Sequence, residues 1–335
     1  MGGVQFFTQF TSLSICTAVA CCPALCVAQP DYGLDFVTVG APGNRPTNAS
    51  EVPNQPGLQA GAVDHAFRIT RTEVLVQDWL PFVRAYQPYW TGSPIDSRFT
   101  SSYINPGPGG VYEPIPGSEL WPVGVSWHMA ARYVNWLANG RGSDQAAFEN
   151  GVYDTSTFTM NPDFSWNDQA THTAGAPVWI PSYDELFKSF YYDPNRYGPG
   201  QDGYWVYPNS SNVAPVSGVP GVGTTNAGLG LFSEFGSAGL YPGTVTPWGL
   251  LDASGGEQEY VEGVTPRFRR RWDMGTSLGT SAEFIQFVDR ADWPLREGAP
   301  DGGLGGFRVA AVVPSPNIGC VVFICLMYKS KRRAR

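Results

Sequence analysis

Pro247-Trp-Gly-Leu-Leu-Asp-Ala-Ser-Gly-Gly-Glu-Gln-Glu-Tyr-Val-Glu-Gly263 packs a turn-forming glycine, an apolar pair, a second glycine-rich turn and three glutamates into seventeen residues. Gly255 and Gly256 can take φ > 0 at little cost, so the chain can fold back tightly there. Glu257, Glu259 and Glu262 then put oxygens near that turn, the raw material of a hard-cation site. Spacing by itself favours a solvated acidic loop over such a site.

The flanking composition bounds the rest. The chain has 335 residues, with 40 Gly, 29 Pro and 11 Trp. Long regular helices are not expected; aromatic side chains would hold irregular segments together. Neither terminal segment contains Asp or Glu, and five of the 21 basic residues lie in Lys329 to Arg335. The body therefore carries 16 basic against 29 acidic residues, a balance of −13. That argues against nucleic-acid binding, which needs a basic face. It suits cation binding and solubility outside the cell. Cys16, Cys21, Cys22 and Cys26 lie near the start, Cys320 and Cys325 near the end, and none lies between Val27 and Gly319. The body has no disulfide, no thiolate metal site and no cysteine nucleophile.

Both ends read as addresses. Residues 13 to 28 form an apolar signal core, with Ala28 before Gln29-Pro30 as a cleavage point, so that 1–28 is a signal peptide and 29–312 the domain. Ala18-Val-Ala-Cys21 loosely matches a lipoprotein box, and a buried helix is the third reading of this segment. Val313-Pro-Ser-Pro316 precedes the apolar residues Ile318 to Tyr328 and a basic tail. Eleven apolar residues fall short of the roughly 20 that a spanning helix needs. This layout over 313–335 resembles the PEP-CTERM sorting signals of Gram-negative bacteria. The resemblance implies export, transient contact with inner-membrane sorting machinery, and a place at the cell surface or in the extracellular matrix. A plain C-terminal membrane anchor is the alternative.

In the body, Leu34 to Val39 and Ala66 to Ile69 are strand candidates. Val76, Trp79, Leu80, Val83 and Tyr86 mark one helical face. Pro81 is tolerated there if Asp78 is near the N-cap. Residues 87 to 120 read as a long ordered loop, and 141 to 177 as loop and short strands. A second helix runs from Ser126, an N-cap, to Gly140, a C′ residue. A third opens at Ser182 and Glu185, which stand at capping-box spacing, and ends at Asp193-Pro194. Phe284 to Val288 is a possible strand, and Gly306 to Ala311 a last one. No linker splits the body.

These segments look like the formylglycine-generating-enzyme, or sulfatase-modifying-factor, family, and the matches come in family order over roughly residues 34 to 311. They are Phe36-Val-Thr-Val-Gly-Ala-Pro-Gly-Asn44; Thr72-Glu-Val74 with Trp79 and Phe82; Val125-Ser-Trp127 with Ala130 and Asn135-Trp-Leu137. Ile180-Pro-Ser182 with Glu185, Tyr191-Tyr-Asp-Pro194 and Gly203-Tyr-Trp205 follow. Trp248-Gly-Leu250, Ser254-Gly255 and Glu259-Tyr260 resemble the family's Gly-Leu…Ser-Gly-Asn-x-Trp-Glu-Trp signature, and Gly306-Phe-Arg-Val309 its terminal strand. The resemblance implies an α+β, C-type-lectin-like fold with little regular secondary structure. It also implies calcium near Gly256 and Glu259. Here, however, Gly256 replaces the signature Asn and Gln258 its first Trp, so only a weak calcium site is expected. The family's oxidases hold copper(I) with two late thiolates. Lacking cysteine there, this chain is expected to bind no copper and to generate no formylglycine.

Three further features bear on chemistry. His65, His128 and His172 sit in separate segments and would need to converge to hold iron; His128 is expected on the exposed face of the second helix. No Gly-x-Ser-x-Gly elbow is present. Arg267, Arg269 and Arg271, with Trp272, form a cluster able to bind carboxylates, sulfates or sugars, the competing role being salt bridges to the acidic body. The leading expectation is a non-catalytic binding or structural module for a glycan or protein partner. Contact would fall on the loops between the second helix and the arginine cluster. An enzyme of different mechanism, using Glu259, Asp252 or His128, is the alternative.

Overall fold

The alternation around Phe36 produces strand β1 (Phe36–Val39), and the apolar run before Arg71 produces β2 (Phe67–Thr70). A computed structural model describes residues 30–230 and 234–314. The segments read as addresses, 1–28 and all of 313–335 beyond Pro314, and all six cysteines, lie outside the described residues. Next come helix α1 (Val76–Tyr86), helix α2 (Trp127–Ala138), strand β3 (Val178–Trp179) and helix α3 (Tyr183–Tyr191). Strands β4 (Glu259–Tyr260), β5 (Arg271–Met274), β6 (Arg296–Gly298) and β7 (Ala310–Val312) follow.

A four-stranded antiparallel sheet has the order β1-β2-β7-β3, with Phe36 opposite Thr70 and Ala310 opposite both Ile69 and Trp179. The first two strands and the last therefore share one sheet, with β2 between β1 and β7. A three-stranded sheet, β6-β5-β4, pairs Trp272 with Glu297 and Glu259 with Met274. The remainder is mostly turns and irregular backbone. The fold is mixed α+β and loop-rich, and Pro30–Val313 cluster as one unit.

Local chemistry explains the helices. Ser126 Oγ accepts the Met129 N–H at 3.4 Å to start α2, and Gly140 takes φ +65° just past its end. At α3 the Glu185 N–H donates to Ser182 Oγ (3.2 Å) and the Ser182 N–H to Glu185 Oε2 (2.7 Å), a complete capping box. In α1 the N-cap is Leu75, whose N–H donates to Asp78 at 3.3 Å. Pro81 lies one turn further in than Asp78 was expected to excuse, so the Gln77 carbonyl forfeits its helical donor.

The core is aromatic. Trp79 sits 4.6 Å from Phe82 and 5.1 Å from Tyr133, with Phe307 edge-on at 5.9 Å. The Trp79 indole donates to the Phe99 carbonyl at 2.9 Å, satisfying its polar edge inside.

Three expectations change. Phe284–Val288 is no strand: a helical turn, Ala282–Phe284, runs into a short helix, Ile285–Val288. Its apolar residues do not alternate; Ile285 points inward while Phe284 and Phe287 are exposed. The last strand starts at Ala310 rather than Gly306, because Gly306 and Phe307 lend their carbonyls to the N–H groups of Tyr260 and Val74, both at 2.9 Å. The acidic stretch is not a solvated loop: Glu259 and Glu262 are buried and Glu257 half-buried.

Arg308 explains the burial of Glu259. Both side chains are shut off from solvent, with Nε to Oε2 at 2.9 Å and Nη2 to Oε1 at 3.0 Å. The remaining guanidinium donors reach the carbonyls of Thr70 (3.3 Å), Arg71 (2.6 Å) and Leu251 (2.8 Å). Arg308→Met would leave Glu259 buried without its cation. Denaturant unfolding should register a loss of about 3–5 kcal/mol, and a loss under about 1 kcal/mol would refute the assignment.

His65 ties β2's approach to α3. Its Nε2 meets Glu185 and its Nδ1 meets Asp64, both at 2.9 Å. The hydrogen bond to Glu185, aided by Asp64, raises the imidazole to about 9. A folded pKa above the unfolded value of about 6.5 gives stabilisation fully present below pH 6.5 and lost as pH rises through 9. The Tm should therefore fall between these pH values, and His65→Gln should flatten that fall. An unchanged slope in the variant would show that His65 is not the source.

Candidate functional site

The most chemically equipped concavity opens at the N-terminal turn of α2. It is a cleft of about 290 Å³ whose walls include Tyr89, Trp90, Arg98, His128, Arg132, Phe158, Trp166 and Asp301. Capping by Ser126 sets the direction of the turn. His128 and Arg132, four residues apart, then face the same way.

His128 is not on an exposed face, as its helical position suggested. It is 6 % exposed, its ring stacked on Phe158 at 4.1 Å and edge-on to Trp166 at 5.4 Å. Its Nε2 lies 2.8 Å from Asp168 Oδ2, so Nε2 carries the proton; Nδ1 looks toward Asp301, 4.0 Å away. Arg132 holds Glu149 with Nε at 3.1 Å from both oxygens, and its guanidinium lies over Phe158 at 5.2 Å. Arg98 is paired with Asp96 at 2.6 Å and Asp301 at 3.3 Å. The cleft thus offers aromatic surface and polar groups whose charges are already balanced.

The arginine cluster supports this cleft from behind instead of forming a binding face. Arg269 donates to the carbonyls of Trp166 (2.8 Å) and Asp168 (2.7 Å). Arg271 is fully buried, its guanidinium 3.2 Å above the Trp127 ring centroid, and donates to the carbonyls of Gln169 (2.7 Å), Ala170 (3.2 Å) and Gly263 (3.3 Å). Burial pushes it down to about 10, against the pull of Asp168, whose Oδ2 lies at 3.5 Å. Arg271, shut off from solvent, cannot be the ligand contact expected of it, and Arg269 spends its Nε and Nη2 on the loop. Trp272 is half-buried in β5, and Arg267 is exposed over the Phe268 ring at 4.8 Å.

The expected calcium ligands are also committed elsewhere. Arg308 takes both oxygens of Glu259. The Gly256 N–H donates to Asn226 Oδ1 and its carbonyl accepts from Leu278, both at 2.9 Å. Gly256 sits at φ +61°, and any Cβ there would collide with the Glu73 carboxyl, so glycine is required. The guanidinium fills the cation's role. Among the described residues no group of three or more His, Cys, Asp or Glu is placed to hold a metal ion. The histidines do not converge on one point: each takes its own carboxylate, Glu185, Asp168 and Glu262 respectively.

Glu73, beside this pair, is pushed well up by burial and by the Glu259 charge. Asp252, grouped with Glu259 and His128 as a candidate acid–base residue, accepts the Gly239 N–H at 2.7 Å, and burial raises its carboxyl. It belongs to the Arg308 surroundings and shares no hydrogen-bond partner with His128.

Sequence reading missed Asp168, Phe158, Trp166 and Trp90, which lie in segments without periodicity. Their relevance arises from long-range pairing, for which no local signal exists. No protein-family model matches this chain, and no curated protein matches it.

Asp168→Asn should disturb the cleft without touching its aromatic walls. The imidazole Nε2–H of His128 is expected to give a sharp, slowly exchanging signal in the native protein, which the variant should broaden or lose. Stability should drop by about 1–3 kcal/mol. An unchanged imidazole signal would show that Asp168 does not orient His128.

Proposed function

We propose that the protein is an exported, surface-sorted binding module, on a sulfatase-modifying-factor-like scaffold of C-type-lectin-like fold, that recognises a glycan in the cleft at the start of α2. The observation that carries this is the cleft's make-up: Trp90, Phe158 and Trp166 beside Arg98, Arg132 and His128. Aromatic faces suit the C–H faces of sugar rings, and the polar side chains suit hydroxyls. Because Arg98 and Arg132 are already paired with carboxylates, a neutral or weakly charged polysaccharide fits better than a strongly anionic one. The body's acidic balance points the same way. Export and sorting rest on the terminal segments' resemblance to signal and PEP-CTERM sequences. Absence of cysteine between Val27 and Gly319 removes the thiolate pair that copper oxidation needs. A protein partner at the cell surface is the other occupant of the same loops.

The His128–Asp168 pair supports one second reading, an enzyme of different mechanism that uses His128 as acid–base group at the cleft. An oriented imidazole with one nitrogen facing a cavity is a suitable proton carrier. His128→Gln would abolish turnover in that case while leaving ligand binding largely intact.

Glycan-array screening of the purified full chain tests the leading reading. Trp166→Ala and Trp90→Ala should weaken bound glycan signals at least about tenfold with the far-ultraviolet spectrum preserved. Silence across broad neutral and acidic panels, or signals indifferent to both variants, would overturn it.

A further inference from the structure

Another cavity, of about 240 Å³, is lined by the Ser101–Tyr103 segment, Gly124, Glu257, Ser277 and Leu304. We propose that it binds a small primary-amine cation, with the ammonium on the Glu257 carboxylate and a short hydrocarbon stem against Tyr103 and Leu304.

The three glutamates of the Pro247–Gly263 stretch meet different partners. Glu259 is held by Arg308 and Glu262 by His172 at 2.9 Å. Glu257 differs. Its backbone N–H donates to Glu73 Oε1 at 3.0 Å, yet among the described residues no hydrogen bond or ion pair reaches its carboxyl. A half-buried carboxyl with no protein donor is costly to charge, burial raising it to about 7, and a cation seated in the cavity would hold it ionised. The position is built rather than accidental. Gly124 leaves room for the carboxyl, since a Cβ there would stand 3.3 Å from Oε1. The Gly124 N–H, which could have satisfied the carboxylate, is instead turned to Ser101 Oγ at 3.3 Å.

Ser101 itself has φ 65° and ψ 163°, a region that is nearly glycine-only and costs about 1–3 kcal/mol for a side chain. That strain places a serine on the cavity wall. Ser102 and Ser277 also line the wall. An ammonium has three N–H donors; a carboxylate and flanking hydroxyls are acceptors for all of them. A bare metal ion fits poorly, because one carboxylate and a partly apolar cavity of this size supply too few oxygen ligands.

The test uses the purified full chain, with n-butylammonium as probe and n-butanol as neutral control, followed by calorimetry and by amide chemical-shift mapping. Saturable binding of the amine is expected, with shifts at Ser101, Gly124 and Ser277. The alcohol should bind at least about tenfold more weakly, and Glu257→Gln should cost the amine a similar factor. Equal binding of alcohol and amine, unchanged amine affinity in the variant, no saturable binding, or shifts confined to other surfaces would each overturn the proposal. If the variant fails to fold, the alcohol comparison and shift map on the native chain decide alone.

Discussion

The buried ion pair between Arg308 and Glu259 is the contact on which the rest of the domain depends. It joins four stretches that are far apart in the chain: the end of β2, the Pro247–Gly263 stretch, α3 through Phe190, and the run into β7. Several backbone carbonyls at this junction lack strand or helix partners. A planar guanidinium with five donors can serve a carboxylate and three carbonyls at once, which an ammonium cannot. The pair therefore secures a particular arrangement of loops, and its value lies as much in specifying that arrangement as in net free energy.

Arg271 repeats the device in the second sheet. It too is buried, stacked on an aromatic ring, and surrounded by carbonyls of two loops plus one carboxylate. A fold with so little regular secondary structure leaves many backbone acceptors inside, and each needs a donor. Arginine supplies them here. Even Lys188, the sole lysine of the body, is buried and donates to the Ala41 carbonyl at 2.9 Å. The scarcity of lysine and the clustering of arginine thus have one structural cause. The cleft beside α2 inherits its shape from it, since Arg269 and Arg271 hold the loop that carries Trp166 and Asp168.

Much of the frame was legible in the residues. Ser126 and Gly140 bracket α2, Ser182 and Glu185 start α3, and the alternation at Phe36 gives β1. These are local signals: a cap, a turn or a period acts within a few residues of itself. The site was legible only in part. Glu259 and the arginines stood out as chemically loaded, but their partners did not. Arg308 lies 49 residues beyond Glu259, and Asp168 lies 103 residues before Arg271.

Sequence alone determined the class of the body: cysteine-free, acidic, aromatic-rich, with short elements separated by glycine and proline. Tertiary structure decided which charges face solvent. A carboxylate beside a glycine turn reads identically whether it awaits a cation, meets a guanidinium or lines a cavity, and Glu259 and Glu257, two residues apart, take the last two of these fates. Long-range pairing settles that choice, because desolvation makes a buried charge depend on whatever group the fold brings against it, wherever in the chain that group resides.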